Sequence, residues 1–428
     1  MLDIKLIREN PELVKKDLKK RGDLEKIELV DELLELDRRA QELKKRSQEL
    51  RRKRNELTRE IAELKKKNMD IKEKLREAEE IPKLIKEVEG ELEKVEGRIR
   101  EILMILPNLL HESVPVGESE EDNVVVRTWG KIRKFDFEPK DHVTLLLNLD
   151  IVDLERAAKI SGARFFFLKN EGVLLEHALM RYAIDLLLKK GFKLLEPPFM
   201  LRRKPYEGVI SMSDFEEMIY KIEGEDLYLI ATSEHPLISM FMNEVIPANE
   251  LPIKLIGFSA NFRKEAGAHG KDTKGIFRTH QFYKVEQIII CRPEDSWNYH
   301  EELIKNAEEI FQGLEIPYRV VNVCTGDIGT VAAKKYDLEA WIPAQNKYRE
   351  MVSCSNCTDY QARRLNIKFR ERPGEKAKLV HTLNSTAITT RAIVALVENF
   401  QEEDGSVRIP KALVPYMNGI EVLKCRKK

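Results

Sequence analysis

From Leu33 onward the chain places Leu33, Leu36, Ala40, Leu43, Ser47, Leu50, Arg54, Leu57, Ile61 and Leu64 at alternating steps of three and four. A seam of that period, sustained over more than four heptads, constrains the segment to a long helix laid along another. A second series, Ile85, Val88, Leu92, Val95, Ile99, Ile102 and Leu106, keeps the same spacing. Between them, Lys67-Asn-Met-Asp70 reads as a stop and restart. The two helices therefore fold back as an antiparallel hairpin, an arm on the order of 50 Å long. Pro82 falls inside the second series and should kink or interrupt it.

Charge is segregated along this arm. Lys44 to Lys67 holds eleven Lys/Arg against four Glu, whereas Met69 to Glu101 holds eight against eleven Asp/Glu. Part of the first helix's charge pairs with the second. The surplus, concentrated at Lys44, Lys45, Arg46, Arg51, Arg52, Lys53 and Arg54, leaves a positive stripe suited to a phosphate backbone. No aromatic residue lies on the arm, so it carries no means of stacking on bases. Over the whole chain Lys+Arg and Asp+Glu are both 74, and global charge selects no partner.

At 428 residues the chain should hold more than one domain. The pattern divides it into an N-terminal domain over 1–106, with the arm over about 31–106, a surface linker over 107–139, and a mixed α+β domain over 140–428. The N-terminal stretch MLDIKLIRENPELV is too charged for a secretory segment, and no apolar run reaches membrane-spanning length. A cytoplasmic protein without a membrane partner is expected. Cys354 and Cys357 form one C-x-x-C without a second pair, so no structural zinc is expected.

Chemistry concentrates in two strand-like runs, about Lys254–Glu265 and Phe277–Cys291, joined by a glycine-rich charged loop. On a strand, residues two apart share a face. Arg263 with Glu265, and Arg278 with Phe282 and Glu286, would then put two guanidiniums, a ring and two carboxylates on one sheet face. Guanidiniums suit phosphates, a ring suits a purine, and carboxylates suit an ammonium, hydroxyl or metal. A solvated charged hairpin would explain the charges but not the lone Phe among them.

These residues resemble a known family. Thr232-Ser-Glu-His-Pro236, FRKEAG with FRTHQFYKVEQ, Thr325-Gly-Asp327, YDLEAWIPAQNKYRE with SCSNCTDYQARRLNI, and HTLNSTA followed by VENFQ and DGSVRIP are similar to the motifs of seryl-tRNA synthetases, class II enzymes with an N-terminal coiled-coil arm. The likeness spans essentially the whole chain, and IFRTHQF and EEDGSVRIPKALV resemble archaeal members. The resemblance implies an antiparallel sheet of six to seven strands flanked by helices, and a homodimer. Leu174–Lys190 followed by Gly191-Phe-Lys-Leu-Leu-Glu-Pro-Pro198 resembles the dimerisation motif of that class.

The implied reaction joins L-serine to ATP as seryl-adenylate, then moves serine to the 3′ end of tRNA(Ser), with the selenocysteine tRNA a further candidate substrate. By resemblance, Arg263 grips the α-phosphate, Lys264 and Glu265 line the nucleotide side, and Phe282 stacks on adenine. Arg278 holds the distal phosphates, and Thr279 borders the adenine pocket. Glu350, Met351, Val352 and Ser353 belong to the nucleotide site, with Glu350 and Ser353 as Mg2+ ligands; their odd spacing calls for a bulge. Thr232, Ser233 and Glu234 take the serine ammonium, Thr232 and Glu234 sharing a strand face. Glu286 takes the hydroxyl, and Asn384 and Thr386 complete the pocket. His269 and His280 have no required acid–base task, and the Gly267–Gly275 loop is expected to close over ATP or the tRNA end.

One departure stands out. The family spaces the pocket threonine and a phosphate-binding arginine by six steps, whereas Thr386 to Arg391 is five. A one-residue change turns a helix by about 100°. This keeps open a catalytically impaired RNA-binding protein beside the ligase. An enzyme loading serine onto a carrier protein is the third reading, and the basic arm argues against it.

Overall fold

The computed structural model describes residues 1–211, 218–265 and 274–426. They form two compact units, Met1–Leu109 and Leu110–Lys428.

The first unit holds helices α1 (Ile4–Glu9), α2 (Pro11–Arg21), α3 (Ile27–Lys66) and α4 (Lys72–Ile105). Pro11 opens α2, where its missing N–H costs nothing, and Gly22 ends it at φ 81°. The 40 residues of α3 span about 60 Å. The chain reverses after α3 through Asn68, which takes a left-handed φ of 52°. Leu33, Ala40, Leu43, Ser47 and Leu57 are buried along the seam, and Ile85, Val88 and Ile102 face them from α4. Leu36 is only half-buried; Asp37 is buried instead. Arg8 of α1 grips both its oxygens at 2.7 and 2.9 Å, so the seam bends its period to take α1. Arg54, a seam position by spacing, is exposed.

Pro82 does not interrupt α4. It lies on the exposed side, while its neighbours Ile81 and Ile85 pack on Leu57 and hold the helix across one missing hydrogen bond. Exposed ion pairs cross the hairpin: Arg39–Glu91 at 2.6 Å, Arg51–Glu89 at 2.7 Å, Lys44–Glu96 at 2.7 Å and Lys53–Glu77 at 2.5 Å. Each contributes little to stability, but together they select register. Arg52 pairs with Glu56 on its own helix. Lys45, Arg46 and Arg54 make no ion pair among the described residues.

The second unit is built on an eight-stranded sheet: β1 (Val124–Trp129), β2 (Lys193–Leu195), β3 (Ile253–Phe262), β4 (Gln281–Cys291), β5 (Tyr318–Asn322), β6 (Lys334–Ile342), β7 (Lys347–Asn356) and β8 (His381–Thr389). Their spatial order is β1-β5-β6-β7-β8-β4-β3-β2. Every neighbouring pair is antiparallel except β2 with β3. The stretch expected as a linker thus supplies β1, an edge strand, and belongs to this unit; its valines find a partner in β5 that local sequence does not reveal.

Helices α5 (Glu171–Lys189), α6 (Glu234–Ser239), α7 (Ser296–Gly313), α8 (Tyr360–Leu365) and α9 (Ala392–Asn399) surround the sheet. The main core gathers Leu179, Ala183, Ile304, Phe311, Ile393 and Leu396 from α5, α7 and α9 against Val285, Ile289 and Cys291 of β4. The opposite face of β4 sends Ile288 and Ile290 into a second cluster with Tyr206, Leu237 and Phe369. Both faces of the central strand are therefore covered. Its polar even-numbered residues, Lys284 and Glu286, have to be placed around something other than bulk water. No helix among the described residues is long and apolar enough to cross a membrane.

Leu43 is 2% exposed at the centre of the hairpin seam. Leu43→Ala should destabilise the arm by about 2–5 kcal/mol. Thermal unfolding followed by helical circular dichroism should show an early loss of helix confined to the first unit; an unchanged melt would contradict the packing described.

Candidate active site

The even face of β4 presents Phe282, Lys284 and Glu286 to one cavity of about 350 Å³, a volume within the range of small-ligand sites. Glu286 faces Gly257 on β3 and Thr386 on β8 across the two ladders. The Thr386 hydroxyl donates to Glu286 Oε2 at 3.2 Å. Asn384, two residues back on β8, lines the same wall. Thr232 and Glu234 close this end.

Thr232 and Glu234 do not share a strand face. Glu234 opens α6, and its backbone N–H donates to the Thr232 hydroxyl at 3.2 Å. Ser233 is turned away, because its Oγ donates to the Gly257 carbonyl at 3.3 Å and the residue is wholly buried. A Cβ on Gly257 would lie 2.3 Å from that oxygen, so the close approach of α6 to β3 requires glycine there. Ser233 thus seats the helix and its side chain takes no part in the cavity wall.

At the other end lie Arg263, Glu265, Phe277, Thr279, Phe282, Glu350, Met351, Ser353 and Arg391. Strand alternation does not place the charged residues at this end. β3 ends at Phe262 and β4 begins at Gln281, so Arg263, Glu265 and Arg278 sit on irregular backbone. Glu265 has a left-handed φ of 51°. Arg263 is held by its backbone N–H, which donates to His280 O at 2.9 Å, and by Nε, 3.3 Å from Ala231 O. Its guanidinium lies 5.3 Å from the Phe282 ring centre. Arg278 pairs with Glu265 at 3.4 Å and is not part of the cavity wall. Lys264 and Val352 are not in the wall either: Val352 packs in the main core, and the Lys264 backbone N–H donates to Met218 O. His280 Nδ1 lies 2.9 Å from Arg263 O, a bracing role for the backbone. His269 and nearly all of the Gly267–Gly275 loop lie outside the described residues.

Two bulges bring the remaining groups in. On β7, Val352 faces Leu338 but Glu350 faces Glu339, so Met351 is the extra residue. Glu350 and Ser353 consequently both line the cavity despite their odd separation. On β8, Thr386 faces Glu286 while Ile388 faces Val285, which makes Ala387 the extra residue. Thr386 and Thr389 then share the cavity face. Arg391 leads into α9 and reaches the cavity, with Nε donating to Phe277 O at 3.0 Å and one terminal nitrogen to Glu350 O at 2.9 Å. The five-step spacing does not keep it out.

Burial and the neighbouring Glu286 push the Glu234 carboxyl up to about 7. Gln361 of α8 opposes this by donating to Glu234 Oε1 at 2.8 Å. The same amide nitrogen donates to Val209 O at 3.0 Å, and Thr382 donates to the Gln361 oxygen at 2.6 Å. Glu350 shows the reverse balance. Its depth in the protein raises it, but Arg391, Lys335, Arg263 and Arg278 together hold it below the ordinary carboxylate range. Its side chain is 51% exposed, open to the cavity. Burial draws Lys284 below the usual lysine value against the pull of Glu286.

Three residues at the site lie within the quoted motifs without a role attached to them. Lys284 lies two residues from both Phe282 and Glu286, so strand alternation alone would have found it. Phe277 carries the guanidiniums of Arg349 and Arg391 at 4.2 and 4.8 Å. Gln361 reaches Glu234 across 127 residues of chain, a contact without a local signal.

A cavity with carboxylates at one end and guanidiniums at the other, on a largely antiparallel sheet, fits the core of a class II aminoacyl-tRNA synthetase. Residues 217–400 match the model of the tRNA synthetase class II core domain (G, H, P, S and T), and residues 1–110 that of the seryl-tRNA synthetase N-terminal domain. Serine–tRNA ligases of Thermococcus sibiricus and Pyrococcus abyssi are 55% and 56% identical, over 100% of this chain and 99% of each relative. The crystal structure of seryl-tRNA synthetase from Pyrococcus horikoshii complexed with ATP superposes with a TM-score of 0.96 at 54% identity, covering 100% of both chains. The chain belongs to the seryl-tRNA synthetase family.

The C-x-x-C pair is folded into the interior. Cys354 packs in the main core, and Cys357 accepts a hydrogen bond from Asn384 Nδ2 at 3.7 Å. Burial raises both thiols well above their ordinary range and lifts Cys291 to about 12. Cys324 is buried too, and only Cys425 is partly open. A chromogenic disulfide reagent at pH 8 should therefore label one thiol quickly and the other four after unfolding. A chelator should leave the melting temperature unchanged. A second fast thiol, or a chelator-induced fall in melting temperature, would contradict this arrangement.

Proposed function

We propose that the chain is a serine–tRNA ligase, activating L-serine with ATP as seryl-adenylate and transferring it to the 3′ end of tRNA(Ser). The observation carrying this reading is the single cavity that joins Glu234, Glu286 and Thr386 to Arg263, Phe282 and Arg391. In the first step the serine carboxylate attacks the α-phosphorus and pyrophosphate leaves; in the second a ribose hydroxyl takes the seryl group. Neither needs a nucleophile from the protein. The task is to hold two reactants in line and to balance phosphate charge.

Glu234 and Thr232 receive the serine ammonium, and Glu286 receives the hydroxyl. Alanine would leave that buried acceptor without a donor, which is a large penalty. Phe282 offers its ring to adenine, Arg263 neutralises the α-phosphate, and Arg391 and Arg278 serve the distal phosphates. Glu350 and Ser353 fit Mg2+: a carboxylate kept ionised by its neighbours and a hydroxyl on the same side of a bulge, with phosphate oxygens to complete the set. Bound there, the ion would screen charge on the triphosphate. Placement of Arg391 in the cavity favours an active ligase over an impaired RNA-binding protein.

The arm supplies a tRNA-binding surface, with Lys45, Arg46 and Arg54 exposed for phosphate contacts and Lys44, Arg51, Arg52 and Lys53 able to exchange their carboxylate partners for phosphates. The selenocysteine tRNA is a second substrate of the same kind. A cytoplasmic homodimer completes the reading. It is supported by the exposed apolar Leu188, Leu194 and Met200 along α5, β2 and the segment beyond it.

Serine-dependent exchange of pyrophosphate into ATP tests the activity. An ammonium acceptor must be ionised, and the Glu234 carboxyl is raised, so binding weakens as pH falls. In the free enzyme kcat/KM for serine should drop about tenfold per pH unit below about 7. Glu234→Gln should be poor at every pH and lose that slope. Exchange that is absent, or equal with alanine, would reject the proposal.

A further inference from the structure

Lys284 is a cation 5% exposed in the middle of a sheet, and the activity described above gives it no task. It stands on the cavity face of β4 between Phe282 and Glu286. Its Nζ is in close contact with Glu286 Oε2. The Thr386 hydroxyl donates to that same oxygen at 3.2 Å. Oε2 is thus taken twice, from the next residue but one on the same strand and from the neighbouring strand. Oε1 has no hydrogen-bond partner among the described residues.

We infer that Lys284 is a positioning residue for substrate selection: with Thr386 it pins Oε2 and fixes the orientation of Glu286, leaving Oε1 as the acceptor for the amino acid's hydroxyl. The inference rests on the proposed role of Glu286. Without the Lys284 contact Oε2 keeps only the Thr386 hydroxyl, and the carboxylate loses its fixed orientation. An ionised acceptor left unpartnered costs more than a neutral one, and hydrogen bonds to charged groups are about twice as strong. Lys284 therefore sharpens the difference between a substrate with a hydroxyl and one without. A lysine that merely balances charge in the fold would affect both substrates alike. So would one that grips the substrate carboxylate, a group serine and alanine share.

The experiment is pyrophosphate exchange with serine and with alanine, using wild type, Lys284→Met, Lys284→Arg and Glu286→Gln. K284M should lower the serine-to-alanine ratio of kcat/KM by roughly tenfold or more while the KM for ATP changes little. K284R, which keeps the charge, should recover much of the ratio. Equal losses for serine and alanine in K284M, or an unchanged ratio, would overturn the inference. A ratio unmoved by E286Q would instead overturn the role of Glu286 itself. Should K284M not fold, the neutral pair K284M/E286Q takes its place. Lysine acting through Glu286 predicts a ratio no lower than that of E286Q alone, and a further fall would overturn the inference.

Discussion

Charge buried within a sheet is the constraint on which the second unit depends. Lys284 and Glu286 are buried in the interior of this unit, and Glu234, at the neighbouring helix, is half-buried beside them. Such groups persist only when each is paired or hydrogen-bonded, and breaking a pair is far more costly than forming it is favourable. Lys284 meets Glu286, Thr386 donates to Glu286, and Gln361 donates to Glu234. Strand alternation makes this possible. Val285, Ile289 and Cys291 turn to the main core, while Phe282, Lys284 and Glu286 turn to the cavity. A one-residue slip of β4 would drive its charges into the hydrocarbon core, so register and site are specified together.

The sheet also solves a problem of reach. Regular strands deliver every second residue, and the guanidinium end of the cavity collects groups that are not two apart. Met351 and Ala387 are spent as bulge residues, which puts Glu350 beside Ser353 and sets the exit of β8 so that Arg391 arrives at the cavity. Arg391 is then tied to Phe277 and Glu350, two elements of the same wall. The five-step spacing that looked like a defect is accommodated where the strand passes into the helix. A rotation of about 100° is decisive only if the helix has already begun.

What could be read from the sequence follows from which patterns are local. The hairpin was legible because a 3–4 period leaves few alternatives, yet Asp37 displaced Leu36 once α1 added a guanidinium from outside the pattern. Phe282 and Glu286 were legible as a strand face. Arg263 and Glu265 line the cavity and Arg278 does not, and all three lie beyond the ends of the strands on which the alternation places them. Ser233 was drawn in by its motif, although its hydroxyl serves Gly257. Lys284 was available to the alternation argument and was passed over because no motif role attached to it. The edge strand β1 and the brace from Gln361 to Glu234 were not legible, because each depends on a partner more than a hundred residues away.

The central claim is that one cavity seats the amino acid on its carboxylates and the nucleotide on its guanidiniums and Phe282. A crystal structure with a non-hydrolysable sulfamoyl analogue of seryl-adenylate tests it directly. Adenine is expected on the Phe282 ring, the sulfamoyl group beside Arg263, and the serine hydroxyl on Glu286 Oε1 with Lys284 still on Oε2. An analogue bound with its amino-acid end away from Glu234 and Glu286, or with Lys284 turned from Glu286 onto the ligand, would contradict it.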